Sequence, residues 1–240
     1  IQLTMAPTSF DDQYRGCRAR MKRVLRALNR TEFVTNSEYA EAWVKGRAKW
    51  QSRKIAGPRL RQEQAIALMA YSIEDGLYLA FNKAVRQGGR SRREYLRNFH
   101  FKVVHFLLTD ALGDLRKDKS HPRCLSVYRG IEGIKFITRP SQIIRFGQFA
   151  SSSLWRNVSQ HYGTDTLFEV ETCHGANIRN YSNYPEEEEV LIPPFETFNV
   201  TRITHKSDTT FIKLRSHGVY SKYNCAWLRG DIPGVGTATV

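Results

Sequence analysis

The sequence lacks any apolar run long enough to cross a lipid bilayer. Its longest apolar stretches, AIALMAYS and VVHFLL, fall far short of the roughly 20 residues that a transmembrane helix needs. It opens at Ile1 without a secretory signal and ends in IPGVGTATV without the hydrophobic tail of a lipid-anchor signal. We therefore expect a processed or trimmed chain that carries no membrane span.

Cysteine is scarce, and none of the four cysteines forms a CxxC pair, which argues against a zinc cluster. The cysteines and four N-x-S/T sequons are spread along the whole chain: Cys17, Cys124, Cys173 and Cys225, with Asn29, Asn157, Asn180 and Asn199. An even number of cysteines with several sequons favours an extracellular protein with two disulfide bonds, although four buried thiols and chance sequons would give the same pattern. Spacing alone does not choose among the possible pairings.

Acidic residues are outnumbered, since 23 Asp and Glu face 37 Lys and Arg, and the formal net charge is +14. Two arginine-rich stretches in the first half, RGCRARMKRVLRALNR and VRQGGRSRREYLRNFHFK, would attract anionic partners or simply form solvated helix faces. Against this background NYPEEEEVLIPPF, residues 183–195, places four glutamates directly before an apolar segment. Taken alone, such an acidic run is typical of a solvated loop.

The apolar periodicity changes midway along the chain. The first half has helical spacing in four stretches: CRARMKRVLRALNR, SEYAEAWVKGRAKWQ, RQEQAIALMAYSIEDGLYLAFNKAV, and a segment that opens with the capping-box pattern SRRE and continues through YLRNFHFKVVHFLLTDALGDL. From Cys124 onward short alternating runs predict strands: LSVYRGI, IKFITR, IIRFGQFA, TLFEVET, EVLIPPFETFNVTRIT, TFIKLRS and VYSKYNCAWL. One helical segment, SLWRNVSQHY, interrupts them.

Helices separated from strands predict an α+β protein, in which an N-terminal helical half packs on a C-terminal β-sheet core. With 240 residues, of which 41% are hydrophobic and 25% charged, the chain can bury a full core. The only plausible domain boundary, KDKSHPRC, is short. We therefore expect a single domain over residues 1–240, mainly helical over 1–120 and mainly β over 121–240.

Three polar positions stand out in the β half. Arg129 follows Val127 by two residues, so a strand would turn both to one face, and a buried arginine needs an anionic partner. Ser151 opens a serine run where a strand would pass into a helix, and one of these serines would serve as an N-cap. If EEVLIP is a strand, Glu187 and Glu189 share a face and raise one another's pKa, which suits acid–base and charge-stabilising chemistry.

An arginine, a serine step and a Glu-x-Glu motif on three strands form a combination more specific than any of its parts. With these residues the sequence resembles the arginine-specific mono-ADP-ribosyltransferases of vertebrate cell surfaces, and the avian members most of all. The resemblance runs from APTSFDDQYRGC through FHFKVVHFLLTDAL, SVYRG, RFGQFASSSL and EEEVLIPPFETF to YNC. It implies a mixed β-sheet of the type found in ADP-ribosylating toxins.

The resemblance implies an enzyme that transfers ADP-ribose from NAD, or NADP, to protein arginines and releases nicotinamide without a metal. Arg129 would bind the phosphate and ribose of NAD, and Gly130 would offer its backbone to the nicotinamide. Ser151 would orient the ribose and the catalytic glutamate. Glu189 would stabilise the oxocarbenium-like ribose, while Glu187 would bind the incoming guanidinium and accept its proton.

The resemblance also implies further contacts to the dinucleotide, from Tyr71, Asn82, Gln148, Tyr162 and Ser182. Within this set Tyr162 would stack on the nicotinamide, and Asn82 and Ser182 are the weaker candidates.

Tyr184, in the turn before the glutamates, would pack against the target arginine through a cation–π contact. Its neighbours Glu186 and Glu188 are expected in solvent, and Ser152 and Ser153 are expected to support the fold rather than the chemistry.

In such enzymes the first and last cysteines pair, as do the middle two, which implies Cys17–Cys225 and Cys124–Cys173. The resemblance implies an extracellular protein, either secreted or held at the cell surface by a lipid anchor outside this chain. Its partners would be arginine-bearing target proteins, with small guanidines such as agmatine as further acceptors and no specific nucleic acid.

Two other functions fit the same residues. An NAD glycohydrolase would use Glu189 with water as the acceptor and would depend less on Glu187. A basic secreted binding protein with a decayed catalytic site would bind polyanions in a salt-dependent way and consume no NAD.

Overall fold

A computed structural model describes residues 1–55, 59–73 and 77–228. Six helices fill the N-terminal half: α1 Arg18–Thr35, α2 Ser37–Ser52, α3 Gln62–Tyr71, α4 Leu77–Gly88, α5 Arg92–Asn98 and α6 Lys102–Arg116. Eight strands follow, with one short helix α7 Arg156–His161 among them: β1 Leu125–Ile131, β2 Ile143–Ile144, β3 Ala150–Ser153, β4 Thr166–Thr172, β5 Ala176–Asn177, β6 Glu189–Ile192, β7 Glu196–Lys206 and β8 Thr209–Val219. The α+β organisation is confirmed. No helix within the described ranges is both long and apolar enough to span a membrane.

The strands form one sheet in the order β2-β7-β8-β4-β1-β3-β6-β5. β4 and β8 pair in parallel, whereas the other described neighbours pair antiparallel, so the sheet is mixed as expected. β1, β3 and β6 lie side by side, with Tyr128 opposite Ser153 and Ser153 opposite Glu189. This order brings Arg129, the serine run and Glu189 to neighbouring strands.

Two of the four predicted helical stretches each divide into two helices. The stretch predicted over 61–85 forms α3, which ends at Tyr71, and α4, which begins at Leu77. Residues 74–76 between them lie outside the described part of the chain. The stretch after the SRRE pattern forms α5 and α6, and the Ser91 hydroxyl accepts a hydrogen bond from the Glu94 N–H at the start of α5.

The break between α5 and α6 has a tertiary cause. The carboxylate of Glu32, on α1, accepts hydrogen bonds from the backbone N–H groups of Lys102 and Val103, both at 2.8 Å. These N–H groups belong to the first turn of α6, where no intrahelical acceptor exists. Glu32 therefore caps α6 from another helix and fixes where it starts.

The strand predictions differ in outcome. LSVYRGI and TLFEVET coincide with β1 and β4, whereas IKFITR forms only an isolated bridge between Gln2 and Ile137. The run VYSKYNCAWL leaves the sheet after Val219. The Tyr220 N–H still donates to the Phe195 carbonyl, but the N–H groups of Lys222 and Tyr223 donate to the Asp11 carboxylate instead of a strand.

Two buried apolar clusters form the core: the helical half and part of the sheet share one of them, and the strands form most of the other. Phe106 of α6 belongs to the same buried cluster as Phe149, ahead of β3, and Leu191 of β6. Disulfide bonds join Cys17 to Cys225 and Cys124 to Cys173, the pairs that the resemblance implies. The shared core supports a single domain, which stays a prediction because residues 229–240 lie outside the described ranges.

Candidate active site

A cleft of about 720 Å³ opens between helices α3, α4 and α7 and strands β1, β3 and β6. Its volume lies in the range of sites for small molecules and cofactors. Ten residues that the sequence predicts for the site line it: Tyr71, Asn82, Arg129, Gly130, Gln148, Ser151, Tyr162, Tyr184, Glu187 and Glu189. Ser182 does not line the cleft.

Arg129 lies on β1 with its side chain half-buried at the cleft wall. Its Nη1 donates a hydrogen bond to the Ser151 carbonyl oxygen at 2.6 Å. Burial lowers the pKa of this guanidinium, while Tyr71 and Glu189 act in the opposite direction. Because the hydrogen-bond partner is a neutral carbonyl, the charge stays available for an anionic ligand.

Gly130, next along β1, meets the C-terminal end of helix α7 at very close range. A Cβ atom at this position would lie 2.0 Å from the Ser159 carbonyl oxygen and 2.4 Å from that of Gly163. Only glycine lets the strand and the helix approach in this way, so the residue shapes the cleft wall whatever its backbone binds.

The serine run forms the end of β3, shortly before helix α7 begins at Arg156, but none of the serines is the N-cap of that helix. Ser151 Oγ lies 3.4 Å from the Tyr71 hydroxyl and hydrogen-bonds to Glu189. The hydroxyls of Ser152 and Ser153 donate to the backbone carbonyls of Val190 at 2.7 Å and Glu187 at 2.6 Å. Two of the serines thus hold the neighbouring segment in place, and Ser151 alone adjoins the carboxylate.

Glu189 opens β6 and is only 8% exposed at the cleft. The pKa of its carboxyl is raised to about 7, chiefly by burial and also by the nearby charge of Glu187. Hydrogen bonds from Ser151 and Ser182 and the charge of Arg129 pull the pKa down without overcoming burial. The group is therefore a carboxylate held in a poorly hydrated place, where it interacts strongly with any positive charge nearby.

Glu187 reaches the cleft by a different route from the predicted one. The sequence suggests a strand through both glutamates, but β6 begins only at Glu189, and Glu187 ends a 3-10 helix, Pro185–Glu187. Glu188 between them has a left-handed backbone, with φ 47°, which turns the chain. Glu187 and Glu189 both line the cleft, but they do not reach it by alternation along one strand.

The two remaining glutamates of the run point elsewhere. Glu186 is exposed, in agreement with the expectation. Glu188 is half-buried, and it accepts hydrogen bonds from Arg179 Nη1 at 2.6 Å and Asn177 Nδ2 at 3.2 Å. The Glu188 carboxylate is therefore paired, and not merely solvated as the sequence suggested.

Two tyrosines flank Glu187. Tyr162 follows helix α7, is 55% exposed, and its hydroxyl donates to Glu187 Oε1 at 2.6 Å. Tyr184, half-buried, lies on the cleft wall just before the 3-10 helix. In this structure the Tyr162 hydroxyl is bound to the Glu187 carboxylate, a contact that the stacking role predicted from the resemblance did not include.

Three other residues predicted to contact the dinucleotide, Tyr71, Asn82 and Ser182, hydrogen-bond to one another or to Glu189. Asn82 Nδ2 donates to the Tyr71 hydroxyl at 3.1 Å, and Asn82 Oδ1 accepts from the Phe149 N–H at 3.2 Å. Ser182 is fully buried and its Oγ lies 3.4 Å from Glu189 Oε2. Because Ser182 lies behind Glu189 and outside the cleft, it supports the carboxylate and does not reach a ligand directly.

Arg86 is a cleft residue that the sequence analysis missed. It lines the cleft from α4, donates a hydrogen bond to Gln148 Oε1, and its charge lowers the pKa of Arg129. The signal was present, because Tyr78, Asn82 and Arg86 are spaced by four residues and share one helix face. The cleft thus combines two guanidinium groups with three carboxylates, those of Glu132, Glu187 and Glu189, which fits a dinucleotide that has an anionic pyrophosphate and a cationic nicotinamide.

Comparisons with known proteins show the family to which the chain belongs. The sequence profile of the NAD:arginine ADP-ribosyltransferase family matches residues 3–222. The chain is 50% identical over 232 residues to chicken NAD(P)(+)--arginine ADP-ribosyltransferase 2, covering 95% of this chain and 74% of that protein. It is 46% identical over 239 residues to the mouse GPI-linked NAD(P)(+)--arginine ADP-ribosyltransferase 1, covering 95% and 73%.

Solved structures show the same likeness. A mutant of the eukaryotic mono-ADP-ribosyltransferase ART2.2 in complex with NAD superposes with a TM-score of 0.79 at 33% identity, covering 94% of this chain and 98% of that chain.

Proposed function

The chain belongs to the NAD:arginine ADP-ribosyltransferase family, and on that premise we propose that it transfers ADP-ribose from NAD to arginine side chains of proteins and releases nicotinamide. The observation that carries the proposal is the convergence of Arg129, Ser151, Glu187 and Glu189 on one cleft. NADP is a second donor that the names of the relatives suggest.

On the donor side, NAD supplies an ADP-ribose already joined to a cationic leaving group. Arg129 binds the phosphate and adjoining ribose, and Arg86 adds a second positive charge on the same wall. Gly130 presents its backbone to the nicotinamide, while Tyr71 and Gln148 complete the contacts. Glu189, oriented by Ser151 and Ser182, faces the ribose and stabilises the positive charge that develops there.

On the acceptor side, Glu187 binds the guanidinium of the target. A free arginine side chain is always protonated, so it becomes a nucleophile only if a neighbouring base takes a proton as the bond forms. Glu187 is that base, and the Tyr162 hydroxyl holds its carboxylate in place. Tyr184 packs against the planar guanidinium through a cation–π contact.

The second candidate function is an NAD glycohydrolase. One feature favours it: Glu189 is fixed on a strand, whereas Glu187 depends on a turn, so donor activation can persist when the acceptor side fails. A binding protein with a decayed site is the weaker candidate, because Arg129, Ser151, Glu187 and Glu189 are all present and line the cleft.

The acceptors that we propose are arginines of extracellular proteins, with agmatine as the minimal one. Two disulfide bonds require an oxidising compartment and support an extracellular location, secreted or lipid-anchored.

Incubation with NAD and agmatine tests the function, with nicotinamide and the ADP-ribosylated guanidine measured together. We expect both products, a loss of about 10²–10³-fold in both with Glu189→Ala, and a selective loss of the guanidine adduct with Glu187→Gln. Glu186→Gln, the exposed neighbour, is the matched control and should retain both products. Nicotinamide without adduct in the unmodified protein would indicate a glycohydrolase, and neither product would indicate a binding protein.

A further inference from the structure

Trp155 is a tryptophan that the fold does not use for packing. The chain has four tryptophans, and all of them lie within the described part of the chain. Trp43 is buried, and Trp50 and Trp227 pack against the apolar cluster that the helices share with the sheet. Trp155 belongs to neither of the two described clusters, and its side chain is 54% exposed. Its indole ring therefore presents a large apolar area to a partner.

Trp155 lies at the rim of the catalytic cleft. It is the N-cap of helix α7, and Val158, Ser159 and Tyr162, which line the cleft, follow it by three, four and seven positions. Residues with this spacing share one face of a helix. Trp155 does not line the cleft itself, so it stands just outside, at the end of the helix face that does.

Hydrogen bonds fix Trp155 relative to Glu187. The Trp155 N–H donates to Ser153 Oγ at 2.9 Å, and the same hydroxyl donates to the Glu187 carbonyl oxygen at 2.6 Å. Just beyond the other end of α7, the Tyr162 hydroxyl donates to Glu187 Oε1 at 2.6 Å. Both ends of the helix are thus tied to the residue that would bind the acceptor. Because the bond at Trp155 uses the backbone, a change of the side chain leaves it in place.

We propose that the Trp155 ring contacts an apolar side chain of the target protein beside the arginine that is modified, and so determines which arginines are preferred. The inference rests on the proposed arginine transfer and extends it to the choice of acceptor. With the target guanidinium at Glu187, the flanking residues of the target lie outside the cleft, at the rim where Trp155 stands. Tryptophan suits this role because it offers a large, rigid contact area and is enriched among the residues that dominate interfaces.

The charges around Trp155 favour an apolar occupant over a charged one. Arg156, next to Trp155, and Glu186, next to Glu187, are both exposed and opposite in sign. Charge at the rim therefore selects neither an acidic nor a basic flanking residue, whereas the exposed indole gains from burial against apolar surface.

Peptides with a single arginine test the proposal, flanked by leucines or by asparagines and otherwise identical. The two flanking residues are similar in size and differ in polarity, and agmatine, which has no flanking residues, reports the chemistry alone. We expect kcat/KM to be about tenfold higher for the leucine peptide, the effect of one strong interface contact. The difference should lie in KM and not in kcat, because a contact made outside the cleft is the same before and during the reaction.

Variants at Trp155 then assign the preference to its ring. Trp155→Ala should raise KM for the leucine peptide to that of the asparagine peptide while agmatine transfer stays unchanged, which also shows that the variant is folded. Trp155→Phe keeps an aromatic ring and should retain part of the preference. Val34→Ala, at an 87% exposed position of α1 outside the cleft, is the control and should retain all of it.

Equal rates for the two peptides, or a leucine preference that survives Trp155→Ala, would overturn the proposal while transfer to agmatine still stands. Loss of agmatine transfer in Trp155→Ala would also overturn it, because the ring would then support the site and not the acceptor. Absence of agmatine transfer in the unmodified protein would instead overturn the proposed function on which the inference rests.

Discussion

Burial and the charge of Glu187 raise the pKa of Glu189, whereas its hydrogen bonds and the charge of Arg129 lower it. The carboxylate is shielded from water, which disfavours its ionised form, and it also lies near the charge of Glu187. The hydrogen bonds from Ser151 and Ser182 and the charge of Arg129 recover part of that cost. A carboxylate placed this way is well suited to stabilise a cation, because little water competes for it.

The pH dependence of donor cleavage should therefore follow Glu189. With a pKa of about 7, the carboxyl of the free protein is protonated below this pH and ionised above it. Only the ionised form stabilises a positive ribose, so kcat/KM for nicotinamide release from NAD should rise as pH increases through about 7 and then level off. A rate that does not change between pH 5 and pH 8, roughly the range in which such a group titrates, would contradict this assignment.

Because the charge of Glu187 raises the pKa of Glu189, a change at Glu187 should shift the pH dependence of nicotinamide release. Glu187→Gln removes a negative charge that raises the pKa of Glu189, so the rise in nicotinamide release should move to lower pH. Nicotinamide release, and not transfer, is the readout, because Glu187 is needed for transfer. Glu186→Gln changes the net charge equally from an exposed position and should leave the profile in place. Identical profiles in all three proteins would show that the two carboxylates are not coupled.

At the level of residues, the sequence predicts the strand-borne part of the site better than the rest. Arg129 and Glu189 lie on strands whose alternation and neighbours are visible locally. Glu187 lines the cleft, but not through the predicted strand, because the left-handed turn at Glu188 is not visible in a run of four glutamates. Arg86 went unnoticed because its relation to the cleft depends on how α4 packs.

At the level of elements, the two glutamates of the acidic motif lie on different structures, Glu187 on a 3-10 helix and Glu189 on a strand. Glu189 is fixed by pairing of β6 with β3. Glu187 depends on the 3-10 helix before β6, and that helix is tied to α3 mainly through Asn183. The Ser153 hydroxyl of β3 also holds the Glu187 carbonyl, so the two glutamates share one support, but only the turn that carries Glu187 depends on Asn183. Under the proposed function, a change at Asn183 should therefore affect acceptor recognition more than donor activation.

Asn183→Ala tests this separation. The variant removes the side-chain hydrogen bonds to Met69 O and Ser72 Oγ, so the turn that carries Glu187 loosens while β6 keeps its pairing. Transfer to agmatine should fall by about tenfold or more, the effect of misplacing a positioned base, whereas nicotinamide release should change much less. Asn177→Ala, which removes a contact to the outward-facing Glu188, is the matched control. Parallel loss of both activities in Asn183→Ala would indicate that the whole site depends on the turn.

Element boundaries also show where local sequence stops being informative. The apolar period continues without interruption from α5 into α6, and a single helix is the natural prediction. The break depends on Glu32, about 70 residues earlier in the chain, which satisfies the first N–H groups of α6. Likewise, the residues after β8 alternate as a strand would, but Asp11 binds their N–H groups before another strand can.

At the scale of the whole molecule, the segment before α1 binds the residues that follow β8 near the other end of the described chain. Asp11 and Arg145 form a fully buried ion pair at 2.6 Å. Arg145 also donates to the carbonyls of Met5, Ala6 and Tyr220, and Asp11 accepts from the N–H groups after β8. The Cys17–Cys225 disulfide closes the same region covalently. Neither partner of the ion pair stands out in the sequence, because long-range pairing leaves no local pattern.

Asp11→Ala should therefore destabilise the whole protein strongly, because it leaves the Arg145 charge buried without a carboxylate and frees the N–H groups after β8. We expect the free energy of unfolding to fall by about 3–5 kcal/mol, measured by urea denaturation with both disulfides intact. The double variant Asp11→Ala with Arg145→Met should lose less free energy of unfolding than the sum of the two single variants, since it also removes the unpaired charge. Glu171→Ala breaks the exposed pair with Arg215 and should cost only about 0–1 kcal/mol. Comparable losses in Asp11→Ala and Glu171→Ala would mean that the disulfide, and not the buried pair, holds the two ends of the chain together.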